Sequence, residues 1–353
     1  MINQAFWQDK KVFLTGHTGF KGAWLSLWLL SLGAKVYGYS DNIRDDHFLY
    51  RSLNFSENEI TSVEADICNL LKLKTVLKQF QPDIVIHMAA QSLVRESYLR
   101  PILNFNTNIM GTCNVLEAIR DVESVKACLV VTTDKCYENL EQGKAFVESD
   151  KLGGEDPYSA SKACAEIVTN SYRQSFFQGQ SGTSIATARA GNVIGGGDMS
   201  KDRIIPDIIR SYQKGAPVSV RSPLSIRPWQ HVIDCLCGYM MLCERLYTQD
   251  IAFASAWNFG PGKENVKTVE DLLKIFSRDW PEIRYVAEPI SGMKEALLLA
   301  LDASKARENL SWQPRLKFDE AVSWASSWYR DVIQVGVDAR SASLNQLNLY
   351  QNL

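Results

Sequence analysis

Tyr158 and Lys162 are the residues whose types and spacing point most directly to chemistry. They stand four apart, so on a helix they share a face and can meet a common ligand. An ammonium beside a phenol favours the phenolate and draws the tyrosine down from its ordinary value of about 10. A phenolate at neutral pH is a base able to take an alcohol proton as hydride leaves the same carbon. The run Glu155-Asp156-Pro157-Tyr158-Ser159-Ala160-Ser161-Lys162 opens such a helix, with Asp156 suited to the N-cap and Pro157 to the first helical position. Tyrosine and lysine at this spacing also occur on ordinary surface helices, so the pair gains meaning only from its surroundings. One such neighbour is the run Thr132-Thr133-Asp134-Lys135, which closes an apolar stretch. Thr133 is placed to bond a substrate hydroxyl, and Asp134 and Lys135 bring an acid and a base to one point. The alternative is a polar loop cap.

A second constellation lies near the chain start, in Thr15-Gly16-His17-Thr18-Gly19-Phe20-Lys21-Gly22. Gly16, Gly19 and Gly22 allow a tight turn, bare backbone beside a pyrophosphate, and close helix–strand packing. The N-terminus of the following helix offers unpaired N–H groups to phosphates. The spacing is GxxGxxG rather than GxGxxG. Asp41 follows Gly22 by 19 residues, near the ~20 expected for an acid that holds the adenosine ribose. An acid there repels a 2′-phosphate and favours NAD over NADP; otherwise Asp41 merely opens a polar loop. Asp66 is in reach of the adenine edge. Lys21 stands either against a phosphate or in solvent.

Positioning these groups requires a scaffold, and the hydrophobic pattern supplies one. Short apolar runs at Lys11–Thr15, Lys35–Tyr39, Ile60–Glu64, Asp83–Met88, Ala127–Thr132 and Ser184–Ala190 read as strands. Helical patterns lie between them at Lys21–Leu32, Leu70–Gln79, Asn104–Arg120 and Tyr158–Phe177. Continuous apolar strands separated by helices predict a doubly wound parallel Rossmann-type sheet covered on both faces. After Ala190 the rhythm breaks at Gly195-Gly196-Gly197 and several prolines. Shorter elements follow: helices at Ile204–Gln213, Val232–Leu246, Val269–Ser277, Asp302–Asn309 and Phe318–Val332, and a strand at Ala256–Phe259. The expected organisation is a dinucleotide-binding domain over 1–190 and a smaller α/β substrate domain over 191–335, some of whose segments return to the first sheet. Residues 336–353 read as a polar, loosely ordered tail.

Composition narrows the partners. The 353 residues are 46% hydrophobic, enough for a full core. Thirty-eight Lys and Arg nearly balance 40 Asp and Glu, which gives no reason to expect a nucleic-acid or membrane-surface partner. Met1 to Lys11 lacks an apolar leader core, and the most apolar stretch, Ala23 to Leu32, is too short to span a bilayer. The eight cysteines form no CxxC pair and the four histidines show no metal-ligand spacing. A reduced, cytoplasmic protein without a metal is the expectation.

With these residues in view, the chain resembles the extended short-chain dehydrogenase/reductases that modify nucleotide sugars. The resemblance covers about residues 10–330. It rests on Thr15–Gly22, His87-Met88-Ala89-Ala90, Asn108-Ile109-Met110-Gly111-Thr112, Tyr158–Lys162, Arg189-Ala190-Gly191-Asn192-Val193, Arg227-Pro228-Trp229-Gln230-His231-Val232 and Trp312-Gln313-Pro314. Within the group, Gly16–Gly22 and Thr133-Asp134-Lys135 are most similar to the CDP-glucose 4,6-dehydratase family.

The resemblance implies bound NAD, a CDP-glucose substrate and an internal redox cycle. Hydride leaves C4 with Tyr158 as base, Lys162 in support and Thr133 assisting. Water is eliminated across C5–C6, and hydride returns to C6. The dTDP-glucose relatives carry Asp-Glu after the threonine, where this chain has Asp134-Lys135; Asp134 is assigned as acid and Lys135 as base. The resemblance adds His17, Phe20, Ile67, Ala89, Ala90 and Asn108 to the cofactor site. It puts Gln91, Asn192, Arg227 and His231 on the nucleotide sugar, and Arg203 joins them on position alone. It implies a homodimer or homotetramer built on Asn104–Arg120 and Tyr158–Phe177, and a setting in bacterial dideoxy-sugar and surface-polysaccharide synthesis. A nucleotide-sugar 4-epimerase would use the same Tyr–Lys pair but needs no acid and base after Thr133. A non-catalytic dinucleotide sensor would commonly lose the pair.

Overall fold

The six early apolar runs form adjacent strands of one sheet: β1 (Lys11–Thr15), β2 (Lys35–Ser40), β3 (Ile60–Glu64), β4 (Ile84–His87), β5 (Ala127–Val131) and β6 (Ser184–Ala190). A seventh strand, Ala256–Phe259, joins β6 at the edge, so the order is β3-β2-β1-β4-β5-β6-seventh. Every pairing is parallel. The computed structural model describes residues 2–139, 144–177, 182–220, 222–248, 250–287 and 299–353. β4, β5 and β6 are buried at every position, as a sheet covered on both faces demands, whereas edge strand β3 is largely exposed beyond Ile60. Two apolar clusters, one per face, bury its side chains. One spreads from Trp24 and Trp28 to Trp328, and the other joins Leu73, Leu77, Leu116 and Ile119 to β4 and β5.

Strand order reverses between β1 and β4. Parallel alignment brings the carboxyl ends of β1, β4 and β5 to one rim, where ligands of such sheets bind. Thr15, His87 and Val131 stand there, and the loops that follow carry the candidate chemistry. The helical pattern after β4 is interrupted: Pro101–Phe105 and Gly111–Ile119 are α-helical, but Asn106–Met110 between them is a π-turn. Such widened turns push one residue out of the ladder and favour functional sites.

Beyond β6, three two-stranded pairings link Val193–Ile194 with Gln230–His231, Ile226–Pro228 with Val266–Thr268, and Val218–Val220 with Tyr285–Ala287. Helices Ile204–Gln213, Val232–Tyr247, Val269–Asp279, Ser304–Leu310 and Phe318–Tyr329 accompany them. The expectation of a loosely ordered tail is corrected. Ala339–Gln351 is a helix capped by the Asp338 side chain. Ala339, Ser343, Leu347 and Tyr350 recur at helical spacing and are buried, so its polar composition hides one apolar stripe. Arg340 pairs with Glu59, and the Tyr350 hydroxyl donates to Asp234 at 2.8 Å. Among the described residues no disulfide forms, no His, Cys, Asp or Glu cluster is arranged for a metal ion, and no helix is long and apolar enough to cross a membrane.

Candidate active site

The glycine loop is a cradle that side chains would fill. Gly16 has φ +74°, and a Cβ there would meet the Ala89 backbone nitrogen at 2.7 Å. A Cβ on Gly22 would lie 2.1 Å from the Gly16 carbonyl oxygen, so the helix is seated directly on the loop. Gly19 caps helix Phe20–Ser31 without a side-chain bond, which leaves the first N–H groups for an anion. Phe20 is partly buried against the core. Asp41 and Asp66 are exposed just past β2 and β3, Asp41 pairing with Arg44 at 2.9 Å and the Asp66 carboxylate accepting from the Cys68 N–H at 2.8 Å. Ile67 is buried and packs where a Gly111 side chain would stand. Ala89 and Ala90 line the rim after β4, partly exposed.

Two polar residues of this loop have partners within the protein. The His17 ring is wholly buried over Gly38 and bonded to Ser40 at 3.0 Å and Ser62 at 2.8 Å. Burial lowers it to about 4, so it is neutral, and its bonds to Ser40 and Ser62 support the loop. Lys21 is half-buried. Its ammonium lies 3.4 Å from the Tyr239 hydroxyl, and its charge acts on Asp134 and Lys162.

A buried hydrogen-bond chain ties the cradle to helix Pro157–Phe176, which carries Tyr158 and Lys162. Thr15 Oγ1 accepts from the Met88 and Ala89 N–H groups and lies 2.7 Å from His87 Nδ1. His87 Nε2 meets Thr112 Oγ1 at 3.1 Å, and that hydroxyl donates to the Asn108 carbonyl at 2.7 Å. With its proton committed, Thr112 accepts from His87, which fixes the imidazole as the Nε2–H tautomer with Nδ1 accepting from Thr15. Burial, aided by Lys162, lowers His87 to about 3. From the π-turn, Asn108 Nδ2 reaches Ser161 Oγ at 2.8 Å, and Gln91 N–H donates to Asn108 Oδ1 at 2.9 Å. The Gln91 side chain is engaged by Asn104 at 2.7 Å.

Helix Pro157–Phe176 begins as the sequence predicts, with Asp156 accepting from Ser159 N–H and Pro157 in the first turn. Tyr158 and Lys162 lie on its buried face. Lys162 Nζ donates to the Val131 carbonyl at 3.1 Å, and burial lowers it to about 8, with Lys21 acting in the same sense. The expected depression of Tyr158 is corrected. Burial raises it to about 12, outweighing a hydrogen bond with Thr133 and the Arg203 charge, because desolvation penalises the phenolate more than these neighbours favour it. Thr133 also donates to Asp134 at 3.0 Å. Burial raises the Asp134 carboxyl against the pull of Lys135, Thr133 and Lys21. Thr133, Asp134 and Tyr158 are all buried, whereas Lys135 is half-buried. Tyr158, the Thr133 hydroxyl and the Asp134 carboxyl therefore converge at the β5 rim.

Of the residues expected on the far side, Asn192 is exposed, and the Arg227 guanidinium donates to the Ile226 carbonyl at 2.8 Å. Arg203 pairs with buried Asp198 at 2.8 Å and is near enough for its charge to act on Tyr158. His231 is a correction. It is fully buried, its Nδ1 caps helix Val232–Tyr247 by accepting from Ile233 N–H, and its ring lies edge-on to Trp24 and Trp324. Such packing leaves no face for a substrate. Sequence reasoning missed Glu166 and assigned Arg189 no role; the two form a buried ion pair at 2.7 Å behind the β5 rim. The signal was present: an acid one turn after Lys162 on the catalytic helix, and an arginine inside the otherwise uncharged strand SIATARA.

The doubly wound sheet, the bare glycine cradle and the Tyr–Lys pair beside it define the class: an extended short-chain dehydrogenase/reductase. The chain belongs to the family described as GDP-mannose 4,6 dehydratase, whose profile matches residues 13–324. It is 44% identical over 339 residues to a CDP-glucose 4,6-dehydratase of Salmonella typhimurium LT2, covering 94% of each chain. Among solved structures it resembles the epimerase Mth375 of Methanothermobacter thermautotrophicus with TM-score 0.81 and 23% identity, over 94% of this chain and 95% of that one. It also resembles a dTDP-glucose 4,6-dehydratase of Bacillus anthracis, solved with NAD, with TM-score 0.75 and 21% identity over 92% and 98%. The last two likenesses are of fold.

Proposed function

We propose that the protein converts CDP-glucose to CDP-4-keto-6-deoxyglucose and water, with NAD as a recycled cofactor. The observation that favours dehydration is Asp134, a buried carboxyl held toward its protonated form and one hydroxyl away from Tyr158. A 4-epimerase has no use for a proton donor there. The identity to a CDP-glucose enzyme over nearly the full length supports the cytidine substrate.

The residues fit a dinucleotide: glycines where a Cβ would fill the cradle, an uncapped helix N-terminus, and two exposed acids past β2 and β3. Gly16, Gly19 and Gly22 would hold its phosphates, Asp41 a ribose, and Asp66 the adenine edge. When bound, NAD supplies the hydride acceptor at C4 and the hydride donor at C6. Beside a bound cation the Tyr158 phenol would be drawn down toward the range of a base. Tyr158 then takes the C4 hydroxyl proton, with Thr133 sharing the hydrogen bond. The new ketone acidifies C5, Lys135 removes that proton, and Asp134 protonates the departing C6 hydroxyl. Asn192, Arg203 and Arg227 are assigned to the diphosphate, for which a guanidinium fork is suited.

We also propose a homodimer or homotetramer, in the cytoplasm. The helices flanking the catalytic helix expose Leu99 at 77% and Ile102 at 71%, with Met110 and Ile167 nearby in the same bundle, an apolar face suited to a second copy. Light scattering checks the mass. For the activity, purified protein is incubated with CDP-glucose and NAD and read by mass spectrometry. Loss of one water without net NADH is expected. Inversion at C4 with unchanged mass would favour the epimerase reading, and no change on any nucleotide sugar would overturn both.

A further inference from the structure

Glu166 lies one helical turn beyond Lys162 and is 3% exposed. Its two oxygens are fully engaged. Oε1 accepts from Thr132 Oγ1 at 2.5 Å, and Oε2 from Thr187 Oγ1 at 2.8 Å and from Arg189 at 2.7 Å. One carboxylate thus joins the catalytic helix to the end of β5, immediately before Thr133, and to β6. Arg189 extends the connection. Its other nitrogen donates to the Tyr137 hydroxyl at 2.8 Å and to the Glu148 carbonyl at 3.0 Å. Tyr137 donates to Asn258 on the seventh strand at 2.7 Å, and Asn258 N–H donates to the Glu148 carboxylate at 2.8 Å. Tyr137, just after Asp134, and Glu148, before Tyr158, are therefore both tied to the sheet beneath.

A buried ion pair is a poor stabilising device, because desolvation of both charges offsets their attraction. Here the Arg189 Nε, moreover, finds no acceptor among the described residues. A pair of apolar residues would fill the same volume without that penalty. The carboxylate stands one helical turn beyond Lys162 and is bonded to Thr132 at the end of β5, and that position supplies a reason to keep the charge.

We propose that Glu166, held by Arg189, is a positioning residue of this centre: its carboxylate, one turn from Lys162, sets the β5 end that presents Thr133 and Asp134 and supplies the negative charge beside the lysine. The kinetic part of this proposal rests on the dehydratase reading; the electrostatic part does not. Lys162 is faced by Lys21 from helix Phe20–Ser31, His87 from β4, Cys136 from the turn after Thr133, and Tyr158 and Glu166 from its own helix. Among these, Glu166 and Cys136 oppose the loss of its proton, and Cys136 is itself held neutral by burial. Removing the Glu166 charge therefore leaves Lys162 with burial and Lys21 acting together.

The test compares wild type, Glu166→Gln and Glu166→Asp as full-length protein. Carbon-labelled lysine gives the Lys162 titration by NMR, assigned by the signal lost in Lys162→Met. Glu166→Gln is expected to move that titration down by about one pH unit, and Glu166→Asp to restore most of it. With CDP-glucose and NAD, kcat falls about tenfold or more in Glu166→Gln, KM changes little, and the pH profile follows the NMR shift. An unmoved titration in a folded Glu166→Gln overturns the proposal, as does a lower melting temperature with wild-type kcat and pH profile. Should Glu166→Gln fail to fold, Arg189→Gln, which leaves the Glu166 carboxylate without its cation, is read in its place: a kcat loss with little change in KM supports the proposal, and wild-type kcat in the folded variant overturns it. Wild type inactive on CDP-glucose, with the titration still shifted, would sink only the substrate reading.

Discussion

Gly191→Ala should separate the two halves of the proposed reaction. Gly191 follows β6 and does not adopt a positive φ, so alanine strains no backbone. A Cβ built there lies 2.8 Å from Asp134 Oδ2, while the next contacts, Asp134 Cγ at 3.5 Å and Pro228 Cγ at 3.8 Å, are ordinary. The single conflict is thus with one carboxylate oxygen, and relieving it takes a displacement of about 0.5 Å. A misplacement of 1 Å costs up to ~100-fold in rate, so half of that implies a loss of about tenfold, or ~1.4 kcal/mol of barrier. The loss falls on elimination, where Asp134 delivers a proton, and spares C4 oxidation, which depends on Tyr158. A single turnover followed by the absorbance of bound NADH reads both phases: the signal rises as C4 is oxidised and decays as hydride returns to C6. The variant should show an unchanged rise and a decay about tenfold slower. An unchanged decay would refute the role of Asp134, and equal slowing of both phases would show that the conflict spreads beyond the carboxylate.

Lys135→Met should retain C4 oxidation while lowering dehydration by about 10²–10⁴-fold; full dehydration in the variant would remove Lys135 as the C5 base. Buried His17, His87 and His231 hold values near 4, 3 and 3 in the folded protein, against about 6.5 unfolded. The unfolded chain therefore binds more protons below pH ~6.5, and stability, full above that value, falls as pH drops toward 4 by up to ~1.4 kcal/mol per unit per histidine. His231→Asn keeps an N-cap acceptor and should flatten the denaturant-measured slope by about one proton; an unaltered slope would contradict a buried neutral imidazole. Tyr350 is 2% exposed, packs edge-on to Trp28 and bonds Asp234. Tyr350→Ala should destabilise by about 3–5 kcal/mol, and wild-type urea resistance would mean that the C-terminal helix is not part of the core.

The sheet, the glycine loop and the Tyr–Lys helix were legible in the sequence because each is written in local order. Strands β4 and β5 are uninterrupted apolar runs, Asp156-Pro157 marks a helix start, and glycine at 16 and 22 meets a backbone requirement that no other residue satisfies. The parallel arrangement followed from chain chirality and the alternation of strands with helices. Tertiary structure decided the rest. Ala256–Phe259 became the seventh strand because β6 offered an unpaired edge, and the C-terminal stripe found Trp28, Asp234 and Glu59, more than a hundred residues away in sequence. Lys21 turned to Tyr239, and His231 went into the core, although both sit in motifs that read as ligand contacts. Tyr158 shows the reason most directly: its spacing from Lys162 predicts a lowered phenol, yet burial raises it. Spacing along a helix specifies which groups share a face, whereas desolvation depends on atoms contributed by distant segments, and no run of neighbouring residues encodes that environment.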